Sequence, residues 1–315
     1  MRWTVIDGSF SHEDDSFQYA PTTRALPVPT VDGEASSPIS LGLIIGSERF
    51  SGGDIEAKVK FTEITKNNAA EIVAYFDPNT RTFLSAGLGG VGTSFFIRHW
   101  NGQWTYHAMA GNKSNLQPNQ EYDLKLTLNG SFASLWVNEV NVLSAQLPFS
   151  LPPSQTGMHF IGESAVEVSK FRVSGSKGKA FVVMEFGTPF DEIYIDVISE
   201  ICSEFDIEAQ RADDVYGPGL IIADVIRDIA EADFVVAEVT PKNPNVYYEI
   251  GYAHAINKPT ILLADRTIDK LPFDIAGFRT LFYSNTISGK GKFEDGLRKH
   301  IAAILQRSPI SSLRP

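Results

Sequence analysis

The chain has 315 residues, 43% of them hydrophobic and 21% charged, a length that exceeds the roughly 100–200 residues of one domain and predicts two. Its net charge of −11 is spread along it, with 13 Lys and Arg against 17 Asp and Glu in residues 1–177 and 14 against 21 beyond, so no basic stripe exists and non-specific nucleic-acid binding is excluded. One cysteine excludes an internal disulfide, and the histidines at positions 12, 99, 107, 159, 254 and 300 lack metal-ligand spacing, so neither a metal nor another cofactor is expected.

From Ser51 to Phe171 short alternating segments predict antiparallel strands. Ile55, Ala57, Val59 and Phe61 alternate with Glu56, Lys58 and Lys60, and Leu124, Leu126 and Leu128 alternate with Lys125 and Thr127. Turns at Asp77-Pro-Asn-Thr80 and Asn129-Gly130 pair successive strands. About a dozen strands imply a two-sheet sandwich. The glycine-rich run Gly87-Leu-Gly-Gly-Val-Gly92 lies between strands, with no helix after it, and reads as a strand bend rather than a phosphate loop. Trp100, Trp104, Tyr106 and His107 flank Asn101-Gly102, as an aromatic platform for a ligand or as cross-strand packing pairs.

The stretch Tyr122-Asp-Leu-Lys-Leu-Thr-Leu-Asn-Gly-Ser-Phe-Ala-Ser-Leu-Trp-Val-Asn138 resembles the concanavalin-like (laminin G-like) jelly rolls. That resemblance implies a glycan-binding or glycosidase role. A glycosidase needs two carboxylates across a cleft, and the nearest pair, Glu56 with Glu71, is expected on a solvated strand face. Residues 1–175 are thus expected to form a β-sandwich for recognition or oligomerisation, and residues 176–178 a linker.

Residues 179–315 alternate apolar strands with helices. Strands are expected at 179–184, 207–211, 233–238, 260–263 and 279–283, and helices at 190–205, 220–231, 246–256 and 292–306. This predicts a flavodoxin-like, doubly wound α/β domain with a five-stranded parallel sheet. Cys202 falls on the apolar face of the first helix and reads as buried filler. Thr188 and Asp191 read as a helix N-cap box.

The most informative segment is Asn243-Pro-Asn-Val-Tyr-Tyr-Glu-Ile-Gly-Tyr-Ala-His-Ala255, followed by Lys258-Pro259. It puts Glu249 in the first or second turn of a helix after an apolar strand. There the macrodipole is expected to keep the carboxylate ionised near neutral pH. With Phe181-Val-Val-Met-Glu-Phe-Gly187, Arg211-Ala-Asp-Asp214, Ala232-Asp233 and Pro272-Phe-Asp274, the segment resembles the nucleoside 2-deoxyribosyltransferases and their relatives with Toll/interleukin-receptor-like folds. The resemblance implies that Glu249 is the catalytic carboxylate, with Asp233 near the scissile bond. Substrate contacts are expected from Phe186, Gly187, Arg211, Asp213, Tyr216, Asn243, Asn245 and Tyr248: Arg211 on a diphosphate, Phe186 or Tyr216 on a base, and the asparagines on ribose hydroxyls.

The transferases carry an aspartate six residues before the nucleophile, where this chain has Asn243, and an amide is neither acid nor base. Nicotinamide leaves NAD+ as a neutral molecule without acid catalysis. The expected activity is therefore NAD+ hydrolysis to nicotinamide and ADP-ribose, with NAD+ as substrate and no cofactor. Base removal or 2-deoxyribosyl transfer with the same glutamate is the alternative, and a non-catalytic nucleotide- or glycan-binding signalling protein is a third. The family resemblance further implies a bacterial antiphage defence effector that homo-oligomerises when a trigger meets the sandwich. With no apolar run of about 18 residues and no leader pattern at Met1–Asp7, a cytoplasmic protein without a membrane partner is expected.

Overall fold

The computed structural model describes residues 1–13, 15–21, 40–65, 67–90, 92–211, 221–240, 242–268 and 270–306. The strands of the first half are, in chain order, β1 (Trp3–Asp7), β2 (Ser9–His12), β3 (Phe17–Ala20), β4 (Leu41–Phe50) and β5 (Gly53–Phe61). They continue as β6 (Ala69–Asp77), β7 (Thr82–Gly89), β8 (Phe95–Trp100), β9 (Trp104–Ala110) and β10 (Glu121–Asn129). The last four are β11 (Phe132–Val137), β12 (Val140–Gln146), β13 (Ser154–Ile161) and β14 (Val166–Gly175).

These strands form two seven-stranded sheets, ordered β1-β4-β13-β6-β7-β8-β9 and β12-β11-β10-β5-β14-β3-β2. The strand pairings within them are antiparallel, for example Leu128 opposite Ala133 across the Asn129-Gly130 turn. The predicted sandwich is present. Ile55, Val59 and Phe61 from one sheet and Ile72, Leu84 and Phe160 from the other are buried in the core between them. Gly87 belongs to β7, where a Cβ would lie 2.1 Å from the Ala70 carbonyl oxygen, so close strand approach explains that glycine.

The outer face of the first sheet differs from expectation. Glu71 is fully buried rather than solvated: it accepts from Arg98, from Ser85 Oγ at 2.6 Å and meets His159 Nδ1 at 3.2 Å. Burial opposes its ionisation, but Arg98 and His159 outweigh that and hold it down to about 2. Glu56 is exposed on the other sheet, so the two carboxylates face no common cleft. Trp100 and Trp104 pack on each other at 5.1 Å across the β8–β9 hairpin, and Arg98 lies 3.6 Å from the Trp104 ring centroid. The packing alternative holds for this pair, which also walls a slot of about 180 Å3 with Phe83 and His159.

The second half begins with β15 (Gly178–Val183), with two residues, Ser176 and Lys177, between it and the end of β14. Next come α1 (Phe190–Ile193), a π-helical stretch (Tyr194–Ser199), α2 (Glu200–Glu204), β16 (Ile207–Arg211), α3 (Ile221–Glu231) and β17 (Phe234–Glu238). Then follow α4 (Pro244–Ala255), β18 (Thr260–Asp265), α5 (Phe273–Ala276), β19 (Thr280–Tyr283) and α6 (Ile287–Leu305). The sheet order is β16-β15-β17-β18-β19, with all four pairings parallel. This is the flavodoxin-like order, with its switch point between β15 and β17. One apolar core joins the sheet to α1, α2 and α6, and another joins it to α3, α4 and α5. Cys202 is buried in the first core, which pushes its thiol up to about 12.

The two halves meet at the edge where the parallel strands start. Ser131, in the β10–β11 turn, donates its N–H and Oγ to the Ala230 carbonyl at 3.2 and 2.9 Å. Gly130 stands where a Cβ would come within 2.3 Å of the Glu231 and Ala232 carbonyl oxygens, and its φ is +55°. Only glycine fits this contact without movement. Lys258 Nζ crosses the same boundary, donating to Ser131 Oγ and Ser150 Oγ at 3.0 Å each and to the Ala230 and Ala232 carbonyls. Burial pushes this amine down to about 7.

Candidate functional site

The carboxyl ends of parallel strands, at a switch point, are where an open α/β sheet takes a ligand. Described residues from three parts of the chain reach that edge beside the switch: Met184–Gly187 after β15, Arg211 at the end of β16, and Glu238–Thr240 with Lys242–Asn245 at and beyond the end of β17. Residues 212–220 and 241 lie outside the described residues, and Asp213 and Tyr216 are among them.

α4 carries the central candidate. Asn243 caps it, its side-chain oxygen accepting from Asn245 N at 3.0 Å, and Pro244 takes the first helical position. At the far end the Lys258 N–H reaches the Ala253 carbonyl at 2.8 Å and the Asn257 N–H the His254 carbonyl at 3.0 Å, with Asn257 at φ +54°. These two bonds form a Schellman stop. Val246, Ile250 and Ala253 are buried towards the sheet. Glu249 lies in the second turn, at the flank of that buried stripe, and shares its helix face with Asn245 four residues before and Tyr252 three after.

The Glu249 carboxylate is half-buried and makes no hydrogen bond to any described residue. Burial pushes it up to about 7. The expectation that the helix dipole keeps it ionised is met only in part: a second-turn side chain feels little of the dipole, and partial desolvation favours the neutral form. Tyr248 beside it is 57% exposed. Gly251 has open space where a Cβ would go.

Arg211 is committed elsewhere. Its Nη1 donates to Asp191 Oδ1 at 2.6 Å, and its guanidinium lies 5.2 Å from the Phe186 ring centroid and 4.7 Å from that of Tyr194. Buried and paired, it is not the free fork expected to take a diphosphate. Asp191 also accepts from Gly187 N at 3.2 Å, and Thr188 makes no side-chain cap, so an ion pair replaces the expected cap box. The pair orders Gly187, at φ +93°, and leaves Phe186 55% exposed at the edge.

Asp233 is not with Glu249. It precedes β17 at the opposite edge of the sheet, where its Oδ2 accepts from Lys179 N at 2.8 Å. A carboxylate at a strand start and one on the helix after that strand's end are separated by the strand's length. Asp233 therefore belongs to the domain junction, and a role at the scissile bond is withdrawn.

The sequence reading passed over another buried group at the ligand edge. Glu238 ends β17 with no exposure, accepting from the Thr240 hydroxyl and N–H and from Tyr283 Oη at 3.1 Å. Thr240 Oγ1 in turn accepts from Asp265 N at 2.6 Å. The network ties the ends of β17, β18 and β19 together, and burial raises the Glu238 carboxyl above its usual range. The signal was an acid closing an otherwise apolar strand, Phe-Val-Val-Ala-Glu. Among the described residues no group of His, Cys, Asp and Glu could hold a metal ion, and no helix is long and apolar enough to cross a membrane.

No protein-family model matches the sequence, and no curated protein matches it. Similar solved structures include the carbohydrate-binding module CBM66 from Bacillus subtilis, at 15% identity over 54% of this chain and 92% of that one, with a TM-score of 0.42. The β-glucanase of Bacillus licheniformis is 10% identical over 55% and 92%, with a TM-score of 0.37. A galectin from Caenorhabditis elegans is 15% identical over 49% and 96%, with a TM-score of 0.29. Each covers about half of this chain, the sandwich, and at such scores none bears on what the chain binds or cleaves.

Proposed function

We propose that the α/β domain is a nucleotide N-glycosidase that hydrolyses NAD+ to nicotinamide and ADP-ribose, with Glu249 as its catalytic carboxylate. The observation that carries this reading is an unpartnered, half-buried acid on the helix leaving the central strand, beside the switch point of a parallel sheet. A carboxylate left without a partner is free to meet charge on a ligand. NAD+ brings that charge: its pyridinium nitrogen is cationic, and C1′ of the ribose becomes cationic as the bond breaks. The C1′–N bond electrons pass to the ring nitrogen, nicotinamide leaves neutral, and water adds to C1′ and loses its proton to solvent. Glu249 stabilises the oxocarbenium-like centre or bonds to it transiently.

A carboxyl near 7 suits a cationic substrate. Bound pyridinium favours the ionised form, so binding itself completes the catalytic state. In this reading Phe186 stacks on a ring, and Asn245 and Tyr248 donate to ribose hydroxyls. Within this reading the sandwich senses or assembles, and the enzyme serves as an antiviral defence effector that is silent until it oligomerises.

The test is to incubate the purified chain, over a range of concentrations and with a crowding agent, with NAD+ and separately with deoxynucleosides. Nicotinamide release that falls about 10²–10⁴-fold in Glu249→Gln supports the proposal. Free base from deoxynucleosides alone moves the activity to base removal. Nucleotide binding with no turnover in samples that sedimentation shows to be oligomeric refutes catalysis.

A further inference from the structure

Between the two domains lies a cavity of about 420 Å3, within the size range of small-molecule sites. The sandwich contributes Phe149, Leu151 and Pro153, and the α/β domain contributes Phe205, Ile304 and Leu305. Its charge is one-sided. Asp206 and Asp233 line it, and among the described residues no Lys or Arg does.

Asp233 Oδ2 is occupied by the Lys179 N–H, while its Oδ1 accepts no hydrogen bond from any described residue. Lys258, whose charge acts on Asp233, is enclosed by its own four acceptors and does not line the cavity. An apolar chamber with an acid holding one free oxygen is complementary to an apolar body bearing a single cation.

We propose that this cavity is a binding site for a small amphipathic amine, with its ring or chain against Phe149, Leu151 and Leu305 and its protonated nitrogen on Asp233 Oδ1. The inference stands apart from the N-glycosidase reading, since the cavity is at the opposite edge of the sheet from the ligand edge. It gives that edge a means of control: Asn257 and Pro259 also line the cavity and flank Lys258 in the turn that ends α4.

Three probes with one apolar body separate the possibilities: 4-phenylbutylamine, 4-phenylbutanol and 4-phenylbutyrate. Calorimetric titration of the full chain is expected to give saturable binding, with the amine about tenfold tighter than the alcohol and the acid weakest. Asp233→Asn should bring amine and alcohol within about threefold of each other. Pro152→Trp and, separately, Leu305→Trp fill the cavity from its two sides and should each abolish amine binding, whichever of them keeps the wild-type circular dichroism. The proposal is overturned by no saturable amine binding, by equal affinity for amine and alcohol, by preference for the acid, or by amine binding that survives a folded cavity-filling variant.

Discussion

Lys258 Nζ donates to Ser131 Oγ at 3.0 Å, so the residue that follows the stop of α4 is held by a turn of the other domain. Lys258→Met keeps the stem and removes the donor, leaving the buried Ala232 carbonyl unpaired, at a cost of about 1–3 kcal/mol. The wild-type chain should melt in one calorimetric transition, and the variant in two. Burial lowers this amine from 10.5 to about 7, so the unfolded chain binds the extra proton between those values. Stability therefore rises with pH across that window, and the variant should lose the rise.

Glu249 is raised from 4.5 to about 7, and its ionised form is the active one in the proposed reaction. The kcat/KM for nicotinamide release should rise with pH and level off above about 7, reporting the free enzyme. In kcat the limb should sit lower, because the bound pyridinium favours the carboxylate. For stability the sign is opposite: the folded form holds its proton more tightly, so stability falls as pH rises from 4.5 to 7. Glu249→Gln should therefore be more stable than wild type at pH 8 in a urea titration.

Glu71, Arg98 and His159 make a test independent of catalysis. The folded carboxyl is held at about 2, so its contribution to stability is full above 4.5 and is lost as pH falls towards 2. Glu71→Gln leaves Arg98 buried without its counter-charge and should cost about 3–5 kcal/mol at pH 7. Combined with Lys258→Met, which separates the two transitions, the loss should appear in the sandwich transition and leave the parallel-sheet transition in place.

Gly251 lies inside α4 with open space around its missing side chain. Gly251→Ala should stabilise the protein by about 0.5–1 kcal/mol, since alanine is the better helix former and meets no clash. If nucleotide approaches α4 at this point, the same change raises KM while kcat moves little. A gain in stability with unchanged KM places the nucleotide elsewhere on the helix.

Much of the architecture was legible because it rests on period. Alternation in β5 and β10, and apolar runs separated by helical patterns after residue 178, led to two sheets of one kind and one of another. α6 begins earlier than its pattern suggests, at Ile287, because Thr286 caps it through Gly289 N at 3.1 Å; Gly289 and Gly291 hide that first turn from any propensity argument. The site was harder to read. Asp233 before a strand can face either neighbour of that strand's start, and only the fold decides that Lys179 takes it. Arg211 was expected on phosphate, but its partner, Asp191, is brought to it by a crossover that spacing does not reveal. Glu71 sits on an outer sheet face, where alternation predicts water, and it is the lateral neighbours Arg98 and His159 that bury it.

α4 has two ends with different attachments. Its second turn carries the free carboxylate, and the chain just past its stop is pinned to the sandwich through Lys258, with about 9 Å of helix between Glu249 and the last helical residue, Ala255. A helix of that length is stiff, so sliding one domain against the other displaces Glu249 even if both cores stay intact. The α/β domain is accordingly a poor candidate for transplantation by itself. Cut at residue 178 and grafted to another module, it would bring a lysine whose burial depends on Ser131 and Ser150, and a productive chimera would have to import those two loops or replace Lys258.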